Sequence, residues 1–330
     1  MSKERASVKD VAELAGVSVG TVSNVLNRPE TVSERTRVKV EAAMAELRFL
    51  RNASARQLRA GVSTTVGAVL LDLGNPFYTE IARGIEDRLT VDGLTLMLCS
   101  SDEDAEREAG FLRQFAEHGV RGMLVTPMSA TAERLLELRD LGIPSVLIDA
   151  TDDKLPTVRV DHVSGGRQAV AHLLDRGHRR ILFLGDDEHL QQARHRLRGA
   201  VEAVTAAGLS PADILLSRSL TSLDAAAGEA AIVAALAADG PPPTAVFCIN
   251  DMVALGVLRA LRRRGIEAPD DLAIVGYDDL YWAGELATPL SSVRQPMRQL
   301  GWAAADLLLS NAEPGASRVF EPELVIRASS

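Results

Sequence analysis

The chain has 330 residues, 46% hydrophobic and 25% charged, an ordinary globular composition that argues against disorder. Its two cysteines, Cys99 and Cys248, are too few for a disulfide framework, and no apolar run approaches the ~20 residues that a membrane helix needs. The net charge of −9 conceals an asymmetry: residues 1–60 carry +4 and the rest carries −13, a basic head on an acidic body. That distribution is the footprint of a polyanionic partner at one end. The polar start, Met1 to Val8, lacks the apolar core of a secretory signal, so a cytoplasmic protein is expected.

Within the head, Val8, Val11, Ala12 and Ala15 fall on one helical face, and Ser7 with Asp10 has the spacing of a helix cap and its reciprocal acid. Gly16 breaks this helix, Val17 plugs the space behind it, and Ser18 caps a second helix over 19–26. Two helices joined by a short glycine-containing turn form a helix-turn-helix. Thr31 and Glu34 open a third helix, for which Val38, Val40, Met44, Ala45 and Leu47 supply the apolar contacts.

The run Val8-Lys-Asp-Val-Ala-Glu-Leu-Ala-Gly-Val-Ser-Val-Gly-Thr-Val-Ser-Asn-Val-Leu-Asn27 resembles the DNA-binding head of the lactose-repressor family of bacterial transcriptional regulators. The likeness continues through Val32-Ser-Glu-Arg-Thr-Arg-Val-Lys-Val-Glu-Ala-Ala-Met-Ala-Glu-Leu47 and Asn52-Ala-Ser-Ala-Arg-Gln-Leu58 and extends, more weakly, over nearly the whole chain. It implies that the helix beginning at Ser18 lies in the major groove, with Val19, Gly20, Ser23 and Asn24 at or near base edges. Asn24 suits adenine and Val19 a thymine methyl, whereas Gly20 offers no side chain. Many relatives carry Arg where this chain has Asn24, which predicts less dependence on a guanine. Thr21, Ser23, Asn27 and Thr36 are assigned to phosphates.

Residues 51–64 correspond to the family's hinge helix and linker, with Asn52, Ala55, Arg56, Leu58 and Arg59 on the DNA. The resemblance implies that Leu58 is the wedge in the minor groove at a central base step, the alternative being an interdomain linker with an incidental leucine. A helix so short is far below the ~12–15 residues that are stable alone in water, so its order depends on DNA and on the partner hinge. Arg51 stands where relatives usually have proline.

From residue 65, short apolar runs alternate with helical patterns. Strands are predicted at Val66–Leu71, Leu94–Cys99, Gly122–Thr126, Ser145–Asp149, Ile181–Gly185, Ile214–Leu216, Ala245–Ile249 and Leu272–Gly276, with helices between them. This alternation implies parallel sheets covered on both faces. No G-x-G-x-x-G follows a strand and no phosphate-binding P-loop occurs, which removes the usual signatures of dinucleotide and nucleotide chemistry.

The family resemblance makes the body periplasmic-binding-protein-like, with one lobe from 65–161 plus 291–311 and the other from 162–288 plus 318–327. Ligands of open α/β sheets sit beyond the carboxyl ends of the strands. The candidates there are Phe77, Tyr78, Asp149, Arg196 in Arg196-Leu-Arg-Gly199, Leu223, Asn250, Asp278 and Met297. A guanidinium is a rigid donor fork, and with carboxylate and amide acceptors it suits the vicinal hydroxyls of a sugar. Leu223 occupies a position where relatives often carry an aromatic platform. No metal, cofactor or catalytic set is expected: the histidines are scattered and no nucleophile with its base ends a strand.

The reading is therefore a helix-turn-helix head (1–50), a hinge (51–64) and a two-lobed effector-binding and dimerisation body (65–330). As a dimeric regulator, most simply a repressor, it would read a near-palindromic operator under the control of a small metabolite, most simply a sugar or sugar derivative. The alternatives are a solute-binding receptor of the same body fold, or a purine-type effector.

Overall fold

A computed structural model describes residues 6–49, 63–128, 131–185 and 190–330, and the chain divides into two compact units at Val62 and Ser63. The hinge residues Asn52, Ala55, Arg56, Leu58 and Arg59 lie outside the described residues.

The head begins with α1 (Val8–Ala15), which has the expected reciprocal cap: Asp10 N–H donates to Ser7 Oγ, and Ser7 N–H donates to Asp10 Oδ2 at 2.7 Å. Gly16 ends it at φ +65°, a left-handed conformation that a residue without Cβ adopts at little cost. Next comes α2 (Val19–Asn27), where Ser18 Oγ accepts from Thr21 N–H at 3.0 Å. The third helix, α3 (Glu34–Glu46), is capped by Ser33 and not by Thr31, whose hydroxyl donates to the carbonyl of Arg28. Val11, Ala12, Val22, Val25, Val40 and Ala43 form the small core, with Met44 and Leu47 against it. Two expected contacts are corrected. Val38 is 55% exposed and Ala45 faces solvent, because the buried stripe runs through 40, 43, 44 and 47 and these two lie off it.

The body contains two six-stranded sheets. The first has strand order β11-β5-β4-β3-β1-β2, from β1 (Thr65–Leu70), β2 (Thr95–Ser100), β3 (Met123–Val125), β4 (Ser145–Ile148), β5 (Thr157–Val160) and β11 (Ser317–Phe320). The second has order β12-β10-β9-β8-β6-β7, from β6 (Ile181–Leu184), β7 (Leu215–Arg218), β8 (Ala245–Cys248), β9 (Ala273–Asp278), β10 (Ser291–Arg294) and β12 (Glu323–Val325). All pairings are parallel except that of β12 with β10. The central strands are buried along their length, as parallel strands covered on both faces must be.

The chain crosses between lobes at 160–162, 294–297 and 320–323. This corrects the expected boundaries. Residues 291–294 belong to the second lobe, because β10 pairs with β9, and 317–320 belong to the first, because β11 pairs with β5. These strands and β5 and β12 have only three or four residues, several of them polar, too little for an apolar run to announce them.

Three helix pairs flank the sheets at backbone contact: α4 (Pro76–Val91) with α11 (Met297–Leu309), α7 (His162–Asp175) with α8 (Gln191–Ala206), and α9 (Ala225–Leu236) with α10 (Asp251–Arg264). Between α4 and α7 lie α5 (Ala105–Glu117) and α6 (Thr131–Asp140). Each close pair meets through reciprocal glycines. A Cβ on Gly84 would fall 2.0 Å from the carbonyl oxygen of Arg298 and one on Gly301 2.0 Å from that of Ile81. Gly166 and Gly199 stand likewise against Arg196 and Val163, and Gly228 and Gly256 against Val253 and Ala225.

Candidate functional site

On the head, the second helix begins at an exposed, capped N-terminus. Ser18, Val19, Gly20, Asn24 and Asn27 are exposed, while Thr21, Ser23 and Thr36 are half-buried. Val19 is 45% exposed, a high value for a β-branched apolar residue on a helix whose Val22 and Val25 are in the core. A Cβ on Gly20 would meet only its own Ser18 hydroxyl, at 3.6 Å, so the backbone is open to close approach there. Three of the polar candidates are engaged locally. Thr21 and Ser18 share a hydroxyl contact of 2.9 Å, Thr36 and Ser33 share another of 2.9 Å, and Asn27 Nδ2 donates to the Ser23 carbonyl at 2.8 Å. Val19, Gly20 and Asn24 thus form the presented surface of the helix.

In the body, the carboxyl ends of the strands converge on a cleft between the lobes with a volume of about 220 Å³. Phe77, Tyr78, Asp149, Arg196, Leu223, Asn250 and Asp278 all line it. Met297 does not. It opens α11 after Pro296, and its side chain packs half-buried against the main core, while neighbouring Gln295 reaches Asp278. Lining residues that sequence reasoning missed include Asp72, Asn75, Asp102, Glu103, Gln192, Ser222 and Asp224. All but Gln192 occupy loops that directly follow strands or their first turns, so the strand-end rule extended to β2 and β7 finds them.

Beneath the cleft runs a buried polar chain. The Arg196 side chain, with Arg196 4% exposed, donates from Nη1 to the Ile249 carbonyl at 2.5 Å and lies 3.7 Å over the ring of Tyr277. Its Nε points at His162 Nδ1 at 3.4 Å, and Tyr277 Oη donates to that same nitrogen at 3.1 Å. His162 Nε2 in turn donates to Asp149 Oδ1 at 2.6 Å. Burial pushes the His162 imidazole below its ordinary value and Arg196 adds to this, against the raising effect of Asp149. Burial opposes the charged form of Asp149, but His162 and Arg196 outweigh it and hold the carboxyl below the usual range. Asp149 has φ +58°, and its Oδ2 is buried without a hydrogen-bond partner.

Asp278 behaves differently. Burial raises its carboxyl to about 7, against the lowering effects of Arg196 and of the Gln295 amide, which donates to Oδ1 at 2.7 Å. The Asn75 side chain, near enough to act on it, lowers it as well. Asn75 caps α4 in the first lobe by accepting from Phe77 N–H at 3.0 Å. A tie between the lobes joins Thr151 N–H to Gln191 Oε1 at 2.7 Å. Among the described residues the aromatic lining is Phe77 and Tyr78, packed edge to face 4.9 Å apart, while the second lobe contributes the aliphatic Leu190, Leu223 and Ile249.

Arg194 and Arg198 are exposed neighbours of Arg196, and His178 contacts Thr244 in a turn. Among the described residues no group of His, Cys, Asp and Glu stands where it could hold a metal ion, and no helix is long and apolar enough to cross a membrane.

Comparison with known proteins gives two family matches: "Bacterial regulatory proteins, lacI family" over residues 7–52 and "Periplasmic binding protein-like domain" over 170–330. The chain is 33% identical to the HTH-type transcriptional repressor PurR of Photobacterium profundum over 332 residues, covering 98% of each. It superimposes on the Lac repressor dimer bound to operator and the anti-inducer ONPF with TM-score 0.85, at 29% identity and over 99% of each chain. A ribose-bound LacI family transcriptional regulator from Enterococcus faecium matches with TM-score 0.74 at 26% identity, covering 81% of this chain and 98% of that one.

Proposed function

Since the chain belongs to the lacI family of bacterial regulatory proteins, we propose that its cleft binds a small polyhydroxylated metabolite, a sugar or sugar derivative, whose presence governs how the head holds DNA. The protein is a DNA-binding regulator of transcription, a repressor by its relatives, and not an enzyme. Two copies place two heads on the half-sites of a near-palindromic operator, because a two-fold protein matches a two-fold site. Val19, Gly20 and Asn24 face the base edges, and Ser18, Thr21, Ser23, Asn27 and Thr36 serve the phosphates and the cap. Residues 51–64 form the hinge, with Leu58 as its wedge and Asn52, Ala55, Arg56 and Arg59 beside it.

The observation that carries the effector assignment is the composition of the cleft. A buried guanidinium, carboxylates and the Asn75, Gln192 and Asn250 amides surround a space of about 220 Å³, below the roughly 300–1,000 Å³ of pockets for drug-sized ligands. Acceptors in such density match a molecule with many hydroxyl donors. A planar purine would need rings on both sides, and the second lobe offers aliphatic side chains instead. Ligand contacts to both lobes bias their relative orientation, and the coupling to DNA is a reciprocal free energy.

The test is a selection of bound sequences from random duplex DNA, followed by mobility shifts with a panel of sugars and nucleobases. A near-palindromic site whose affinity changes with a sugar supports the assignment. A change with a base alone, or no selected site, refutes it.

A further inference from the structure

The charge of the cleft narrows its occupant further, on the reading that the occupant is a sugar-sized polyol. Among the described lining side chains Asp72, Asp102, Glu103, Asp149, Asp224 and Asp278 are acidic and Arg196 is basic, with Asp102 paired to Arg107 behind the cleft wall. Arg196 is turned inward: Nη1 is on the Ile249 carbonyl, Nε faces His162, and the guanidinium covers Tyr277. Asp149, 3% exposed, uses Oδ1 for His162 and leaves the buried Oδ2 without a donor. A buried carboxylate oxygen calls for a partner; the backbone N–H of Val160 lies near this carboxylate, but among the described residues no donor makes a hydrogen bond to Oδ2.

We propose that the cleft takes a monosaccharide bearing a protonated amine, an amino sugar, whose ammonium group donates to Asp149 while Asp72 and Asp224 draw the cation in. A hydroxyl gives one donor and leaves the surplus negative charge in place. An ammonium gives three donors and compensates the charge in the same step. The same field turns away phosphorylated and acidic sugars.

Titration calorimetry on the full chain, with D-glucosamine, D-galactosamine and D-mannosamine each beside its parent hexose and its uncharged N-acetyl derivative, tests this. One amine is expected to bind at least tenfold more tightly than its parent hexose, with the advantage shrinking as ionic strength rises from about 0.05 to 0.5 M. Asp149→Asn brings the amine-to-hexose affinity ratio to near one; asparagine tolerates the left-handed backbone at φ +58° and still accepts from His162. Asp224→Asn, which keeps a good helix cap, lowers the ratio severalfold, and thermal melts confirm that both variants fold. A hexose that binds as tightly as its amine overturns the proposal and leaves the sugar reading standing. If no sugar binds, both fall, and binding of adenine in their place assigns the cleft to a base.

Discussion

The guanidinium of Arg196 lies 3.7 Å over the ring of Tyr277, and the two side chains share His162 Nδ1 as an acceptor. Tyr277 belongs to β9 and Arg196 to α8, so the stack fixes a helix to the sheet it covers directly under the cleft. Gly165 makes the arrangement sterically accessible, because a Cβ there would fall 2.1 Å from the Tyr277 hydroxyl.

Arg196→Lys keeps the charge but loses the planar stack and the fixed direction of Nη1 toward Ile249. We expect a loss of about 2 kcal/mol of unfolding free energy, the scale of a desolvated cation–π contact, and at least tenfold weaker effector binding. Denaturant melts and calorimetry measure the two effects. Wild-type affinity in the variant would show that Arg196 does not orient the ligand.

Asp278 gives the body a pH dependence of definite sign. Its carboxyl is raised from 3.8 to about 7, so the folded chain keeps a proton that the unfolded chain has already released. The associated stability is complete below about pH 4 and is lost as pH climbs through about 7. Asp278→Asn removes this titration, so the melting temperature of the variant should gain on the wild type between about pH 4 and 8. Asp251 is pushed upward by burial and by the charge of Asp278, so it ionises more readily in the variant and the comparison reads the two carboxyls together. A difference that stays flat with pH would show that Asp278 ionises normally.

Gly166→Ala sets a methyl group against the carbonyl oxygen of Arg196, 2.0 Å from an ideal Cβ. The helices must separate, at a cost of about 1–3 kcal/mol for an overpacked contact. The displaced segment carries Arg196, so effector affinity falls together with melting temperature. Stability lost with affinity unchanged would separate the helix spacing from the ligand site.

Asn24→Ala should relax base preference at one operator position by about 1–3 kcal/mol, the discrimination of a bidentate contact. Competitive mobility shifts against single-base operator variants read this directly. An equal loss for every sequence would move Asn24 to the phosphate backbone.

Much of the cleft is legible in the sequence because Asp149, Asn250 and Asp278 each follow or end an apolar strand, and one rule about strand ends gathers them. Arg196 stands out by its spacing to Gly199, which the structure explains as a close helix crossing. His162, Tyr277 and Gln295 were not singled out as parts of the site. Their roles arise only when residues 13 to 115 positions apart meet, and no local pattern encodes such a meeting. Met297 misleads for the opposite reason: it is near the cleft in sequence, but at the start of its helix its half-buried side chain packs against the core. In the head, Val38 and Ala45 are apolar without being buried, since a short third helix has only one stripe to give to its neighbours.

The reciprocal glycines bring three helix pairs to backbone contact, which leaves each lobe little room to deform internally. Strain introduced at the cleft is then expressed as rotation of two stiff plates about the passages at 160–162, 294–297 and 320–323. His162 and Gln295 stand at two of these passages while bonded to Asp149 and Asp278. An occupant of the cleft would therefore press on the same few side chains that anchor the passages between the lobes.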